Sequence, residues 1–134
     1  MIVSGDRILV VDDNIDLRTG IVEGLLSAGY RVECAADGQE AVSVIERNML
    51  SLPDLIICNL AMPRMDGLQF LTWMWGQRAL PKIPTLIVTG TGHSLTALEA
   101  GEFIIGSLIK PFALTTLLDI IARHVVPAAE NANG

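Results

Sequence analysis

The apolar residues of this chain fall into short runs that are separated by segments with helical spacing. Four runs are continuous and a fifth segment alternates; the continuous runs are Ile8–Val11, Leu55–Cys58, Leu86–Val88 and Leu108–Ile109, and the alternating one is Arg31–Ala35. Continuous apolar runs are typical of strands buried on both faces of a parallel sheet, and alternation is typical of an edge strand. The pattern predicts a five-stranded sheet with Arg31–Ala35 at one edge.

Helical segments lie between these strands. Residues 14–28, 38–49 and 113–125 each carry an apolar stripe, while residues 67–75 and about 93–101 show shorter and less regular patterns. The stripe residues are Ile21, Val22, Leu25 and Leu26 in the first helix, Ala41, Val42, Ile45 and Met49 in the second, and Leu114, Leu117, Leu118, Ile121 and Val125 in the last. A strand followed by a helix, repeated five times, is typical of a doubly wound α/β sheet.

Short signals mark several helix ends. Asp37 and Glu40 have the spacing of a capping box, Gly29 lies where the first helix should end, and Asp66-Gly67 indicates a turn and a helix cap. The third helix has large apolar residues on more than one face; they are Phe70, Leu71, Trp73, Met74 and Trp75. This distribution indicates either a wide contact with the core or a second face that is buried against a partner.

The composition narrows the class of protein. A chain of 134 residues is the size of one domain, for which we predict residues 1–126, with the small, polar residues 127–134 as a flexible tail or linker stub. A net charge of −6 argues against a nucleic-acid-binding surface. No apolar run is long enough to span a membrane and no secretory signal begins the sequence, so we predict a cytoplasmic protein. Cys34 and Cys58 follow no metal or redox spacing and are expected to be reduced and buried.

Polar residues follow four of the predicted strands. They are Asp12-Asp13, Asn59, Thr89 and Lys110-Pro111, and open α/β sheets bind ligands beyond the carboxyl ends of their strands. Two adjacent carboxylates stay ionised most easily beside a cation such as Lys110 or Mg²⁺, and the Thr89 hydroxyl with the Lys110 ammonium suits a transient phosphoryl group. Simpler interpretations stay open: a helix N-cap pair for the acids, a strand former for Thr89 and a strand stop for Lys110-Pro111.

Four motifs carry a resemblance to a known family. They are ILVVDD at 8–13, PDLIICNLAMPRMDG at 53–67, PTLIVTG at 84–90 and KPF at 110–112, and over residues 6–125 the chain resembles a response-regulator receiver domain of two-component signalling. The resemblance implies a flavodoxin-like (βα)₅ parallel sheet with strand order 2-1-3-4-5. It also implies site roles: Mg²⁺ ligation by Asp12, Asp13, residue 59 and the Ala61 backbone carbonyl, a switch hydroxyl on Thr89 and a phosphate-pairing ammonium on Lys110.

The phosphoacceptor position of this family is an aspartate, and in this chain it is Asn59. An amide has no ionised oxygen, so we do not expect phosphorylation there, and we expect weaker Mg²⁺ binding than in an Asn59→Asp form. The Asn59 amide group could instead donate to Asp12 or Asp13. Two origins stay open: an engineered block of the acceptor, or a native pseudo-receiver that acts as a phosphorylation-independent protein-interaction module.

The resemblance also implies partners and limits. It implies a phosphorelay protein and not a metabolic enzyme. The implied partners are a histidine kinase or phosphotransfer protein and an effector domain or output protein. A homodimer is compatible with the resemblance. Where the family usually has a switch aromatic the chain has Ser107, and the stretch before it reads GEFIIGS at 101–107, so the usual threonine–aromatic switch is in doubt. The strand order would separate Cys34 from Cys58 by about 9.6 Å, too far for a disulfide.

Overall fold

Five parallel strands form the centre of the protein in a computed structural model that describes residues 3–62, 64–90 and 103–127. The strands are β1 (Arg7–Val11), β2 (Arg31–Ala35), β3 (Leu55–Asn59), β4 (Thr85–Thr89) and β5 (Ile104–Ile109). They are hydrogen-bonded in the order β2-β1-β3-β4-β5, and every neighbouring pair is parallel. The predicted flavodoxin-like α/β fold with strand order 2-1-3-4-5 is therefore confirmed.

Four helices lie within the described residues: α1 (Ile15–Ser27), α2 (Gly38–Arg47), α3 (Gly67–Trp75) and α4 (Leu114–Ala122). The helix predicted at about 93–101 falls outside the described residues. A short parallel ladder also joins Val3–Ser4 to Val125–Val126. None of the helices in the described segments is long and apolar enough to cross a membrane.

The burial of each strand follows its place in the sheet. Every residue of β3 and β4 is buried, and so are residues 8–11 of β1, because helices cover both faces of these central strands. In β2 only Ala35 is fully buried, and the residues of β5 are half-buried or exposed. The alternating segment is thus an edge strand, as predicted.

Successive residues of a strand face opposite sides of the sheet, and this divides the core into two layers. One layer packs Leu9, Val11, Ile56, Cys58 and Ile87 against α2 and α3. The other packs Ile8, Val10, Leu55, Ile57, Leu86 and Val88 against α1 and α4. Because both layers are apolar, neither face of the central strands can be exposed, which explains the continuous apolar runs.

The structure differs from the predicted helical stripes at four residues. Leu114 is exposed at the first position of α4. Leu26 is exposed because α1 turns Ile21 and Leu25, four residues apart, toward the sheet. Met49 is exposed because α2 ends at Arg47, and Val44 takes the buried position instead. Val125 is buried, but in the short ladder with Val3 and not in α4, which ends at Ala122.

The helix ends agree better with the sequence. Gly29 follows Ala28, the C-cap residue of α1, and has a φ of 97°, a left-handed conformation that suits glycine. The Asp37 carboxylate accepts from the Glu40 backbone N–H at 2.8 Å, which confirms Asp37 as the cap of α2. Asp66 caps α3 and forms a complete capping box with Gln69.

The large apolar residues of α3 contact the core over a wide arc. Phe70, Leu71 and Met74 are fully buried, and Trp73 and Trp75 are half-buried against the same core layer. The Trp75 ring also lies 5.2 Å from the ring of Phe103, just before β5. A wide core contact, the first of the two predicted explanations, accounts for these side chains.

The two cysteines differ from each other. Both are free thiols, as the strand spacing predicted, but only Cys58 is buried. Cys34 is exposed, so the expectation that both thiols are buried is wrong. Cys34 lies on β2, an edge strand whose residues are mostly exposed, whereas Cys58 lies on β3, whose residues are all buried.

Candidate functional site

The acidic pair lies directly after β1. Asp12 is buried and Asp13 is exposed. The cap of α1 is Asn14, whose side-chain oxygen accepts from the Leu17 N–H at 3.0 Å, so the interpretation of the acids as an N-cap pair is wrong. One oxygen of Asp12 accepts from the Asn14 N–H at 2.9 Å, and this bond fixes the carboxylate at the end of the sheet.

Asn59 is the last residue of β3, and its side chain is buried beside both acids. Its amide nitrogen lies 3.0 Å from Asp13 Oδ1, 3.4 Å from Asp12 Oδ1 and 3.1 Å from the Ala61 carbonyl oxygen. All three neighbours can only accept at these atoms, which fixes the orientation of the amide with its nitrogen toward them. The structure thus shows the amide donating to both acids.

Lys110 reaches the same carboxylate from β5. Its Nζ lies 3.1 Å from Asp12 Oδ2, and its side chain is largely covered. The Lys110 N–H donates to the Thr89 carbonyl at 2.8 Å, which joins the ends of β4 and β5. Thr89 is fully buried at the end of β4. Lys110 is therefore more than a strand stop, since its ammonium pairs with an acid that is 98 positions away in sequence.

The charged side chains of the site nearly neutralise one another. Asp12, Asp13 and Lys110 together leave one net negative charge, and the Asn59 N–H groups point toward that charge. Burial, reinforced by the nearby Asp12 charge, raises the pKa of the Cys58 thiol far above its ordinary value. Cys58 Sγ lies 3.6 Å from the Asn59 carbonyl oxygen, so a neutral thiol packs beside the residue that centres the site.

Three oxygen atoms converge on one point in this site. They belong to Asp12, Asp13 and the Ala61 carbonyl, and they surround the Asn59 amide nitrogen. Hard cations such as Mg²⁺ take carboxylate and carbonyl oxygens, so this donor set fits a cation if the Asn59 amide turns away. Within the described segments, no group of three or more His, Cys, Asp or Glu side chains is arranged to hold a metal.

The backbone beneath the site is tightly packed. The Gly67 N–H donates to the Leu60 carbonyl at 2.9 Å, and the Leu60 N–H donates to Val88 at 3.2 Å. A Cβ atom at Gly67 would lie 2.1 Å from the Asn59 carbonyl oxygen. Glycine is therefore required where α3 begins, because any side chain there would push on the backbone of Asn59.

Several contacts in the site and beside it were not found in the sequence. Arg18 of α1 donates from Nη1 to the Asp12 carbonyl at 2.7 Å, and Arg64 pairs with Asp37 beside the loop that follows β3. The helix-start pattern at Asn14 is a signal that could have been used. No periodicity or spacing points to Arg18 or Arg64. Ser107, at the position of the expected aromatic, is half-buried on β5 beside Ile87.

Comparison with known proteins identifies the family. The sequence model of the response regulator receiver domain family matches residues 8–122. Protein Rrf1 of Nitratidesulfovibrio vulgaris is 31% identical over 125 residues, which cover 92% of this chain and 86% of Rrf1. The chain therefore belongs to the response regulator receiver domain family, and it is a receiver domain of two-component signalling. It spans between 24% and 52% of the length of some other curated relatives.

Solved structures agree with this assignment. The chemotaxis response regulator CheY4 of Vibrio cholerae is 33% identical, with a TM-score of 0.76 over 89% of this chain and 98% of CheY4. The receiver domain of a sensor histidine kinase from Pseudomonas aeruginosa PAO1 is 32% identical, with a TM-score of 0.75 over 89% of this chain and 96% of that one. The latter structure has a magnesium ion coordinated in its active-site cleft.

Proposed function

We propose that this receiver domain carries Asn59 at the phosphoacceptor position and is not phosphorylated there. The observation that carries the proposal is the place of Asn59: it ends the central strand β3, is buried, and lies between the acids that follow β1. Lys110, directly after β5, pairs with Asp12. This arrangement would suit a carboxylate at residue 59, and the chain has an amide there.

The chemistry of an amide supports the proposal. Phosphoryl transfer to a side chain needs a nucleophilic oxygen, and an ionised carboxylate supplies one. In Asn59 the nitrogen lone pair is delocalised into the carbonyl, and the N–H groups are directed at Asp13, Asp12 and Ala61. A donor phosphoryl group would therefore meet a neutral group whose hydrogens are already engaged.

Mg²⁺ is the cation we assign to this site. Asp12, Asp13 and the backbone carbonyl of Ala61 would hold it. The side-chain oxygen of Asn59 would be a further ligand once the amide group has turned. When bound, the ion would offset the charge of a phosphoryl group. We expect weaker binding than in an Asn59→Asp form, because the amide brings no negative charge and its N–H groups compete for the same oxygens.

The partners follow from the family. We propose that a histidine kinase or phosphotransfer protein docks on this domain, and that an effector domain or output protein receives the signal. Thr89 is assigned as the switch hydroxyl and Lys110 as the phosphate-pairing residue. The domain is proposed to belong to a phosphorelay as a receiver and not to turn over a metabolite, and with an amide at residue 59 it is proposed to take up no phosphoryl group at that residue. The comparisons with response regulators do not favour a phosphorylation-independent module.

The test is incubation with a small phosphodonor, such as acetyl phosphate, and Mg²⁺, followed by intact mass measurement. We expect the chain with Asn59 to gain no phosphoryl group and the Asn59→Asp variant to gain one. Asn48→Asp is the matched control, because Asn48 lies at the end of α2 and donates to Val44 in its own helix. It should gain nothing.

Two results would contradict the proposal. One is a phosphoryl adduct on Asn59 of the native chain. The other is an Asn59→Asp variant that folds normally and still gains no more than the Asn48→Asp control, because the pocket would then not be an acceptor site even with a carboxylate. Mapping the adduct by peptide mass spectrometry separates residue 59 from other positions.

A further inference from the structure

An ion pair outside the candidate site joins the loop after β3 to the start of α2. The Arg64 guanidinium donates from Nε to Asp37 Oδ2 at 2.7 Å and also from Nη2 to the same oxygen. The other oxygen of Asp37 caps α2 through the Glu40 N–H. The side chain of Asp37 is only 2% exposed, whereas that of Arg64 is 65% exposed. One buried carboxylate therefore serves both the helix and the loop.

The backbone at Arg64 needs such an anchor. Of the residues that the structure describes, Arg64 is the one non-glycine residue with a positive φ, at 62°. Residues with a Cβ adopt this left-handed conformation at a cost. The next residue, Met65, accepts at its carbonyl from the Gly38 N–H at 2.8 Å. Two adjacent contacts thus hold the loop against the first turn of α2.

The same loop supplies one of the oxygens that surround the Asn59 amide nitrogen. The Ala61 carbonyl lies 3.1 Å from that nitrogen, three positions before Arg64. At its ends the loop is attached by the bond between Leu60 and Gly67. The position of the Ala61 carbonyl therefore depends on how Arg64 and Met65 are held, and both contact the start of α2.

The geometry points to Arg64 and Asp37 as positioning residues for the cation position: their ion pair sets the place of the Ala61 carbonyl without touching the site itself. This inference rests on the proposed function for the identity of the cation. Removal of the pair should leave the acids Asp12 and Asp13 in place and release only the oxygen from the loop. We therefore expect weaker contacts of the Asn59 side chain and weaker cation binding, in addition to any loss of folding stability.

The first experiment uses the native chain and no metal. NMR follows the side-chain amide protons of Asn59, which are held by Ala61 and the two acids. In Arg64→Met we expect a shift of these resonances and faster hydrogen exchange. In Asp37→Asn, which retains a capping oxygen for α2, we expect the same change. Unchanged Asn59 amide protons in both folded variants would overturn the inference.

The second experiment measures Mg²⁺ affinity by isothermal titration calorimetry in the Asn59→Asp background. Loss of an outer-shell partner commonly costs about tenfold or more in metal affinity, and we expect about tenfold for Arg64→Met and for Asp37→Asn. The double variant should lose no more than either single variant, because the two residues act as one unit. Equal affinities in parent and single variants would count against the inference.

A matched ion pair at the opposite, amino end of the strands provides the control. Arg31 is 59% exposed and donates two hydrogen bonds from Nε and one from Nη2 to Asp6, whose side chain is 6% exposed. Both residues lie at the amino ends of the strands. Arg31→Met should cost comparable stability and leave both the Asn59 amide protons and the Mg²⁺ affinity unchanged. An Arg31→Met effect on Mg²⁺ as large as that of Arg64→Met would show a merely structural role.

The two proposals fail in different ways. If the Asn59→Asp chain binds no Mg²⁺, the proposed function is wrong about the cation, and the metal-free NMR experiment decides the positioning role alone. If Asn59→Asp binds Mg²⁺ and Arg64→Met binds it equally well, the positioning role is wrong and the proposed function stands.

Discussion

At the residue scale, the amide group of Asn59 decides what the site can do without a cation. The Asn59 nitrogen lies 3.0–3.4 Å from three acceptor oxygens, so the amide donates where a carboxylate oxygen would repel. A carboxylate at residue 59 would need a cation or a proton between itself and Asp13. The Asn59 amide therefore gives the oxygens of Asp12, Asp13 and Ala61 a hydrogen-bond donor without any cation, whereas a carboxylate at this residue would give them none.

The two thiols give a second contrast, between the edge strand β2 and the central strand β3. Cys34 is exposed on β2, while Cys58 is buried on β3 and its pKa is raised by burial. Because the thiolate is the reactive form, we expect a thiol reagent at pH 8 to modify one cysteine per folded chain and two in denaturant. Absorbance of the released chromophore from a disulfide reagent counts the modified thiols.

A Cys34→Ser variant is the control for this prediction. It should react with no reagent while folded and with one equivalent in denaturant. Modification of both thiols in the folded native chain, at the same rate, would contradict the burial of Cys58.

At the element scale, the junction between β3 and α3 depends on a residue without a side chain. Gly67 begins α3, and a Cβ atom there would lie 2.1 Å from the Asn59 carbonyl oxygen and 2.9 Å from Leu60 Cα. The helix must start this close because the capping box of Asp66 and the Gly67–Leu60 hydrogen bond bring its first turn onto the end of β3.

We predict that Gly67→Ala destabilises the fold by about 1–3 kcal/mol, as overpacking does elsewhere. Gly20 in the middle of α1 is the matched control, because a Cβ atom there has nothing within 4 Å. Gly20→Ala should stabilise the fold by about 0.5–1 kcal/mol through helix propensity. Urea unfolding measures both changes, and a Gly67→Ala chain as stable as its parent would refute the close approach.

At the scale of the whole molecule, the strand order brings distant residues to one edge. Asp12, Asn59 and Lys110 come from three strands of the sheet, and parallel strands place their carboxyl ends together. Asp37 also connects α2 to the loop after β3, because it caps the helix and pairs with Arg64. The Glu40 backbone N–H and the Arg64 guanidinium lower the pKa of the Asp37 carboxyl, although its burial opposes this shift.

The lowered pKa of Asp37 predicts a pH dependence of stability. A carboxyl whose pKa is lower in the folded state contributes stability above its unfolded pKa, near 3.8, and loses that contribution as the pH falls through the folded value. The stability difference between the native chain and Asp37→Asn should therefore be largest at neutral pH and shrink below about pH 4. Urea unfolding at pH 3 to 7 measures this difference.

Asp119→Asn on the exposed surface of α4 controls for the loss of one charge. Its effect on stability should be small across the same pH range. A native-minus-Asp37→Asn difference that stays constant from pH 7 to pH 3 would contradict the contribution of the Asp37 carboxylate.

The sequence alone determined the presence of five strands, the edge position of Arg31–Ala35, the Asp37 cap and the chemical identity of the strand ends, because these depend on local periodicity and on single side chains. It predicted β5 only at Leu108–Ile109, whereas the strand begins at Ile104. Only the tertiary structure decided that Leu26 and Cys34 are exposed, since the direction a helix or edge strand faces is set by its neighbours. It also decided that Arg64 meets Asp37 across 27 positions. No local pattern encodes such a pair, because the folding of two loops brings it together.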